Sequence, residues 1–377
     1  MRIGIDAAIL GEGTRHSGIG RYVAQLVEGL PILTPDDTVV LFTPEQEAPL
    51  DRLPRNVTWV TMPRTRAGKL SMLATYQWHL PRAAARHALD VFHVPTVHPR
   101  PTWPSVPRRM PCPVVVTIHD IIPLTFYGSG TGRLPWRQRV FYRWNLGGAA
   151  RAARVISVSE SSRRELIERL RFEPERVVTV YNGVETPPRR EPADNPGRPY
   201  ILYVGSFERR KNLVTAVRAF GRVAPVLSDH GLIVVAAGGS GDRAPVDEEV
   251  RRCGLAERVR FHERVTDERL RALYRGADVL VFPSFAEGFG LPPLEAMACG
   301  APVIASSLPA HKEVLGEAAQ YVEPADATSF AEAILRVARD PALSARMSEL
   351  GRRQAERYPV GAFVRKTLDV YRAAASQ

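Results

Sequence analysis

Thirteen short runs of Val, Ile, Leu and other apolar residues punctuate this chain. Each is followed by a stretch of roughly helical length whose apolar residues fall on one side. Runs at 2–6, 39–43, 57–62, 91–94, 114–119, 154–159 and 177–181 make a first series. Runs at 200–205, 232–237, 259–262, 279–283, 302–305 and 320–322 make a second. Strands that are apolar nearly throughout, alternating with helices, belong to parallel sheets covered on both faces. Two such series predict an α/β protein of two Rossmann-like, doubly wound domains. Residues 185–199, ETPPRREPADNPGRP, are rich in proline and charge and carry no periodicity, so they read as the connection. The expected layout is a first domain over 1–185, a linker over 186–199, a second domain over 200–358 and a final helix within 359–377. A second proline-rich stretch, 98–113, sits inside the first domain and reads as a loop, mobile over a site or rigid on the surface.

Composition narrows the class. With 45% hydrophobic residues the chain is neither disordered, collagen-like nor a coiled coil. No apolar run approaches the ~18 residues of a membrane-spanning helix. The opening MRIGIDAAIL places Asp6 early and does not read as a signal peptide. Cys112, Cys253 and Cys299 are odd in number and lack metal spacing, which suggests idle thiols in a reducing, cytoplasmic compartment. The net charge is +11, and only four of the 51 basic residues are lysines. Arginine suits phosphate, so nucleic acid, an anionic membrane and a phosphorylated small molecule all remain open. Arginine-rich coding bias explains the charge equally well.

In open α/β sheets ligands bind beyond the carboxyl ends of the strands, so chemistry is sought there. The first strand ends at Asp6, followed by Gly11, Gly13, Gly18 and Gly20, and then by Arg21 and Tyr22 opening a helix to about Leu30. Glycines admit an anion to backbone N–H groups at a helix start. The spacing is not G-x-G-x-x-G, and a tight connection explains it as well. His119 and Asp120 end another strand and could act as a polarised donor or base. In the second series, Gly205 and Ser206 lead to Arg209, Arg210, Lys211 and Asn212, ahead of a helix from Leu213. Cations before a helix N-terminus oppose its dipole, so this cluster costs stability unless an anion binds. The segment 282–300, FPSFAEGFGLPPLEAMACG, carries Glu287, Phe289 and Gly290 in a loop. Pro292 and Pro293 then start a helix, with Glu295 expected on its first turn. The bend between Glu287 and Glu295 would let both carboxylates face one cleft and accept hydrogen bonds from sugar hydroxyls. Backbone N–H groups near Gly290 and Leu291 would meet an anion.

The segment E-G-F-G-L-P-P-L-E-A-M-A-C-G resembles the E-x7-E signature of the retaining nucleotide-sugar glycosyltransferases of family 4. Five further segments resemble that family in order: S-G-I-G-R-Y at 17–22, T-I-H-D-I-I-P-L at 117–124, V-S-E-S-S-R at 158–163, Y-N-G-V at 181–184 and Y-V-G-S-x-x-x-R-K-N at 203–212. The resemblance spans about 1–360. It implies the GT-B fold, two Rossmann-like domains facing across a cleft, with the acceptor on the first domain and the nucleotide sugar on the second. A final helix, near 362–373, would cross back to the first domain. By resemblance Arg210 and Lys211 hold the donor diphosphate and Glu295 the ribose hydroxyls. Glu287 meets the transferred sugar, Phe289, Gly290 and Leu291 offer backbone amides, and Gly205, Ser206 and Val265 line the donor. Gly18 and Gly20 approach the diphosphate and acceptor, Arg21, Tyr22 and Asp120 serve the acceptor, and His119 bonds a sugar hydroxyl or polarises the reacting centre. F-H-E-R-V at 261–265 departs from the family's F-x-G-x-V by placing Glu263 at the glycine, which puts the base preference in doubt. No D-x-D motif occurs, so donor binding is expected to need neither metal nor cofactor.

The implied reaction breaks an anomeric C–O bond to a diphosphate, and cations gain most from the charge on the leaving group. Substituting Arg210 and Lys211 by alanine should abolish transfer and leave the fold intact. Among relatives that combine S-G-I-G-R-Y with R-K-N, GDP-mannose users are frequent. The resemblance therefore implies a mannosyltransferase acting on a glycan, lipid-linked or small-molecule acceptor in bacterial envelope or exopolysaccharide synthesis. A transferase using a UDP-, ADP- or dTDP-sugar is the alternative. A glycoside hydrolase would need no Arg–Lys cluster. An epimerase fits the E-x7-E poorly. A non-catalytic binder of membrane or nucleic acid would use interleaved aromatic and basic residues. Residues 133–154 have that character, and they or 64–86 could touch anionic membrane at its inner face; a buried helix with snorkelling arginines reads equally well. Nucleic acid is not an expected partner of the transferase.

Overall fold

The Val- and Ile-rich runs assemble into two separate parallel sheets in the computed structural model, which describes residues 1–10, 17–43, 54–62, 74–98, 106–127, 135–187, 197–263 and 265–377. Among the described residues the first sheet has seven strands: β1 (Arg2–Asp6), β2 (Thr38–Thr43), β3 (Val57–Thr61), β4 (Val91–Val94), β5 (Val114–Ile118), β6 (Arg154–Ser157) and β7 (Val177–Thr179). Their order is β3-β2-β1-β4-β5-β6-β7. Helices α1 (Gly18–Leu33), α2 (Leu80–Arg86), α3 (Ile122–Thr125), α4 (Trp136–Ala149) and α5 (Glu160–Leu170) connect them. Ile3, Ile5, Val39, Leu41 and Val115 are fully buried, as central strands of a covered sheet must be.

The second sheet holds β8 (Tyr200–Phe207), β9 (Gly231–Gly241), β10 (Val259–His262), β11 (Val279–Phe282), β12 (Val303–Ser306) and β13 (Ala319–Val322), ordered β10-β9-β8-β11-β12-β13. Its helices are α6 (Leu213–Val223), α7 (Ala244–Arg252), α8 (Asp267–Gly276), α9 (Leu291–Cys299), α10 (Pro309–Leu315), α11 (Ala327–Arg339) and α12 (Pro341–Ala355). In α6 the buried residues Leu213, Ala216, Val217, Phe220 and Val223 recur at helical spacing, so one stripe covers the sheet.

The chain divides into one unit of Met1–Gly183 with Val360–Gln377 and another of Val184–Pro359. The final helix, α13 (Val360–Ala375), packs in the first unit, where Phe363, Val364, Leu368 and Tyr371 join the core around Ile3, Ile5, Val23 and Leu26. Most of the proline-rich connection, 188–196, lies outside the described residues, as do 99–105, 63–73 and 133–134, which carry parts of the loop and of the two basic stretches read from the sequence.

Of the boundaries that differ from those expected, two lie beside candidate site residues. The first helix starts at Gly18 rather than Arg21, because the Ser17 hydroxyl caps it by accepting the Gly20 N–H at 3.0 Å. Strand β8 runs past Gly205 to Phe207. That glycine is no turn: a Cβ on it would stand 2.8 Å from the Tyr203 hydroxyl, so the residue answers to a close approach inside the strand.

Candidate active site

In the second sheet the order reverses between β8 and β11, and connections leave these neighbours in opposite directions. Such a switch point opens a crevice at the carboxyl ends of the strands. After β8 the chain makes a short turn, Arg209–Lys211, before α6. After β11 it makes the loop that carries Glu287. The Phe285 N–H donates to the Arg210 carbonyl at 2.7 Å and joins the two loops. Asn212 fastens them further. Its backbone is left-handed (φ 54°), and its side-chain amide donates to the carbonyls of Pro283 at 2.9 Å and Pro324 at 2.7 Å.

This scaffold brings four charged side chains together. Lys211 Nζ lies 2.6 Å from Glu287 Oε1, and Arg210 Nη1 lies 3.5 Å from Glu287 Oε2. Arg210 Nε also meets Glu208 Oε2 at 2.7 Å. Burial alone would push the Glu287 carboxyl up, but Lys211 and Arg210 hold it down at about 2. Burial pushes the Lys211 ammonium below its usual range, and Glu287 opposes that shift. The argument that these cations need a bound anion is therefore corrected for Arg210 and Lys211, which already pair with two carboxylates of the chain itself, Glu287 and Glu208. A bound diphosphate would have to share or displace these partners.

Gly290 caps α9 with φ 97°, a conformation open to glycine at little cost. Leu291 opens the helix, so its amide stands at the positive end of the dipole. The Phe289 ring is buried against Tyr358, leaving only its backbone for a ligand. Glu295 is the fifth residue of α9 rather than a member of its first turn. The Tyr274 hydroxyl of α8 donates to its Oε2 at 3.1 Å. Gly205 and Ser206 lie within β8, and Val265 is half-buried just ahead of α8. Glu263, at the departure from the family pattern, is exposed and lies 3.8 Å from Arg243, whose guanidinium covers the Phe261 ring.

The remaining candidates belong to the first unit. Gly18, Gly20, Arg21 and Tyr22 occupy the first turns of α1. Tyr22 is buried, its hydroxyl 2.8 Å from Thr117 Oγ1, so its ring is core and not a surface ready for an acceptor. His119 and Asp120 each hold a backbone group. The His119 Nε2–H donates to the Pro95 carbonyl at 2.9 Å, and Asp120 Oδ1 accepts the Ile122 N–H at 3.0 Å to start α3. Burial pushes the His119 imidazole down to about 4, against the bond to Pro95. The neutral ring thus offers Nδ1 as an acceptor, and the polarised-donor reading is corrected.

Sequence reasoning missed Glu208, Tyr274 and His311. Glu208 stood in plain view two residues before Arg210. Tyr274 and His311 reach the site only through helices α8 and α10, with no local signal.

The chain matches the family model described as Glycosyltransferase Family 4 over residues 16–187 and that described as Glycosyl transferases group 1 over 185–354. It is 31% identical over 229 residues to the O-antigen chain mannosyltransferase RfbU of Salmonella typhimurium, covering 60% of this chain and 61% of that protein. It is 27% identical over 381 residues to the O-antigen chain mannosyltransferase B of Escherichia coli, covering 94% and 96%. Among solved structures it superposes on sucrose-phosphate synthase from Thermosynechococcus elongatus with a TM-score of 0.79 at 21% identity, covering 99% and 98%. A second neighbour, Anabaena HepE in complex with UDP-glucose, gives 0.75 at 18% identity, covering 98% of each chain. These likenesses establish the GT-B fold. With its two halves matched in succession by the two models, the chain belongs to the family 4 glycosyltransferases of group 1 type.

Proposed function

We propose that this protein is a retaining hexosyltransferase that moves a sugar, mannose from GDP-mannose, from a nucleoside diphosphate to a glycan or lipid-linked acceptor in envelope polysaccharide synthesis. The observation that carries it is the cation pair Arg210 and Lys211 at the switch point, poised against Glu287 beside the N-terminus of α9. Family membership and the names of the two O-antigen relatives support the reaction class and the sugar. The UDP-glucose complex of the Anabaena neighbour supports a nucleotide sugar as donor class.

In this reading the diphosphate takes Arg210 and Lys211, together with the amide at Leu291, and Glu287 turns from counter-ion to acceptor of sugar hydroxyls. The anomeric C–O bond to the diphosphate breaks and the bond to the acceptor oxygen forms on the same face. The acceptor's hydroxyl proton passes to the departing diphosphate. Charge grows on that leaving group, so the cations bind the transition state more tightly than the ground state, and losing one costs on the order of 10²–10³ in rate. Neither metal nor cofactor is required for these steps. Glu295 holds the ribose, and His119 Nδ1 accepts from a sugar hydroxyl. Peripheral contact with anionic lipid at the inner membrane face falls to α4, where Trp136 is 69% and Val140 59% exposed beside Arg137 and Arg139. Among the described residues no helix is long and apolar enough to cross a membrane.

The test is a donor screen. Purified protein is mixed with GDP-, UDP-, ADP- and dTDP-sugars, and melting temperature and release of nucleoside diphosphate are followed, with and without anionic vesicles at low salt. Stabilisation and slow release with GDP-mannose are expected. A folded sample that responds to no donor sinks the transferase reading, a response to another base moves the donor, and no vesicle binding removes the membrane contact.

A further inference from the structure

His311 is fully buried, and none of its chemistry is used by the assignments above. Its Nδ1 lies 2.9 Å from the Ser306 carbonyl oxygen. A carbonyl only accepts, so Nδ1 carries the hydrogen. In the neutral ring Nε2 is then a bare lone pair. It is buried and has no hydrogen-bond partner. Burial keeps the imidazole neutral at ordinary pH despite the nearby Glu287 carboxylate. Buried polar atoms are nearly always satisfied, so an acceptor held open at this place asks for a donor.

The surroundings say which donor. The ring packs against Phe282, centroids 5.5 Å apart, at the end of β11. Nε2 faces Gly290, where a Cβ would stand 3.4 Å from it, and the same imidazole is among the groups that act on Glu287. The lone pair thus lies against the loop that carries Glu287 and opens α9. An anion such as a phosphate oxygen would be repelled by it. A hydroxyl, which donates one hydrogen and accepts elsewhere, satisfies it.

We propose that His311 is a further donor-site residue, whose Nε2 accepts a hydrogen bond from a hydroxyl of the transferred sugar adjacent to the hydroxyl taken by Glu287. The proposal rests on the reading of this site as a nucleotide-sugar site. It predicts that His311 discriminates nucleotide sugar from bare nucleotide.

Calorimetric titration of the full chain with GDP and with GDP-mannose tests it. His311→Phe keeps an aromatic ring against Phe282 and removes the lone pair, while the Ser306 carbonyl keeps its second donor, the Leu308 N–H at 2.8 Å. The free variant should melt no lower than the parent, since no partner is lost at Nε2. GDP affinity should stay within about twofold and GDP-mannose affinity fall about tenfold, the usual worth of one neutral hydrogen bond. His311→Gln, whose Oε1 can accept at similar reach, should recover most of the difference. His311→Met gives the same comparison should the Phe ring fail to pack. Equal loss of GDP and GDP-mannose, or no loss of either, overturns the assignment of His311. A parent that binds GDP-mannose no better than GDP overturns it too, and a parent that binds no nucleotide at all overturns the site reading beneath it.

Discussion

Lys211 and Glu287 do two jobs that a sequence motif does not separate. Their side chains are only 12% and 9% exposed, so each is the other's compensation in a poorly solvated place. The expectation that alanine at 211 would spare the fold is therefore revised. Breaking such a buried pair from one side leaves an uncompensated charge, and Lys211→Met should destabilise the second unit by about 3 kcal/mol or more. Adding Glu287→Gln should return most of it, which calorimetry of the single and double variants would reveal. Glu287 is held below its unfolded value, so its contribution is complete above about pH 4.5 and fades as pH falls toward 2. If the single and double variants melt alike, the two charges are not compensating each other. The candidates were legible because they stand just after strands, where parallel sheets bind ligands. Their pairing was not, since it depends on which strands become neighbours. Nothing near residue 311 in sequence says that the first turn of its helix packs against the loop that leads from Glu287 to Gly290.

At the scale of elements, the R-K-N turn shows how one residue spans three connections. The sequence showed Asn212 as one letter of a pattern. The structure gives its work: a left-handed backbone, two side-chain bonds to the loops after β11 and β13, and acceptance of the Thr215 hydroxyl at 2.9 Å inside α6. Asn tolerates φ near 54° better than most residues. Asn212→Ala should cost about 2–4 kcal/mol, from two orphaned carbonyl partners and the backbone strain together. Asn212→Gly removes the strain alone and should recover about 1 kcal/mol of that. Denaturant melts of both variants distinguish the parts; equal losses would mean the conformation contributes nothing. Strand existence was likewise readable throughout, whereas the continuation of β8 past Gly205 to Phe207 was not.

For the whole molecule, the decisive element is α13. A buried chain of polar groups binds it: Tyr371 Oη lies 2.6 Å from His93 Nδ1, His93 Nε2 lies 2.8 Å from Thr117 Oγ1, and Thr117 Oγ1 lies 2.8 Å from Tyr22 Oη. Burial, with His119 nearby, pushes the His93 imidazole down to about 3, so this chain is neutral. Ending the protein after Pro359 would strip Phe363, Val364, Leu368 and Tyr371 from the first unit, each worth about 1.5–3 kcal/mol of burial. All five tryptophans (59, 78, 103, 136 and 144) lie in that unit, so their fluorescence reports it alone. The expected outcome is a tryptophan transition at much lower urea, with the second unit's calorimetric transition nearly unmoved. A tryptophan transition that stays in place would show α13 to be an ornament. The two halves and a last helix were foreseeable from pattern and resemblance, but the polar chain that anchors that helix joins residues 278 positions apart and leaves no local trace.

Because α13 is translated after the whole of Val184–Pro359, the unit begun first at the ribosome is the one completed last. Domains ordinarily finish in the order they emerge. Here the nascent first unit must wait with the apolar groove around Val23, Leu26 and Val364's future seat uncovered, while the second can already close on itself. A stop codon or a stall before codon 360 would then leave a folded second unit attached to an unfinished first, a species that chaperones and proteases would recognise by the half built earliest.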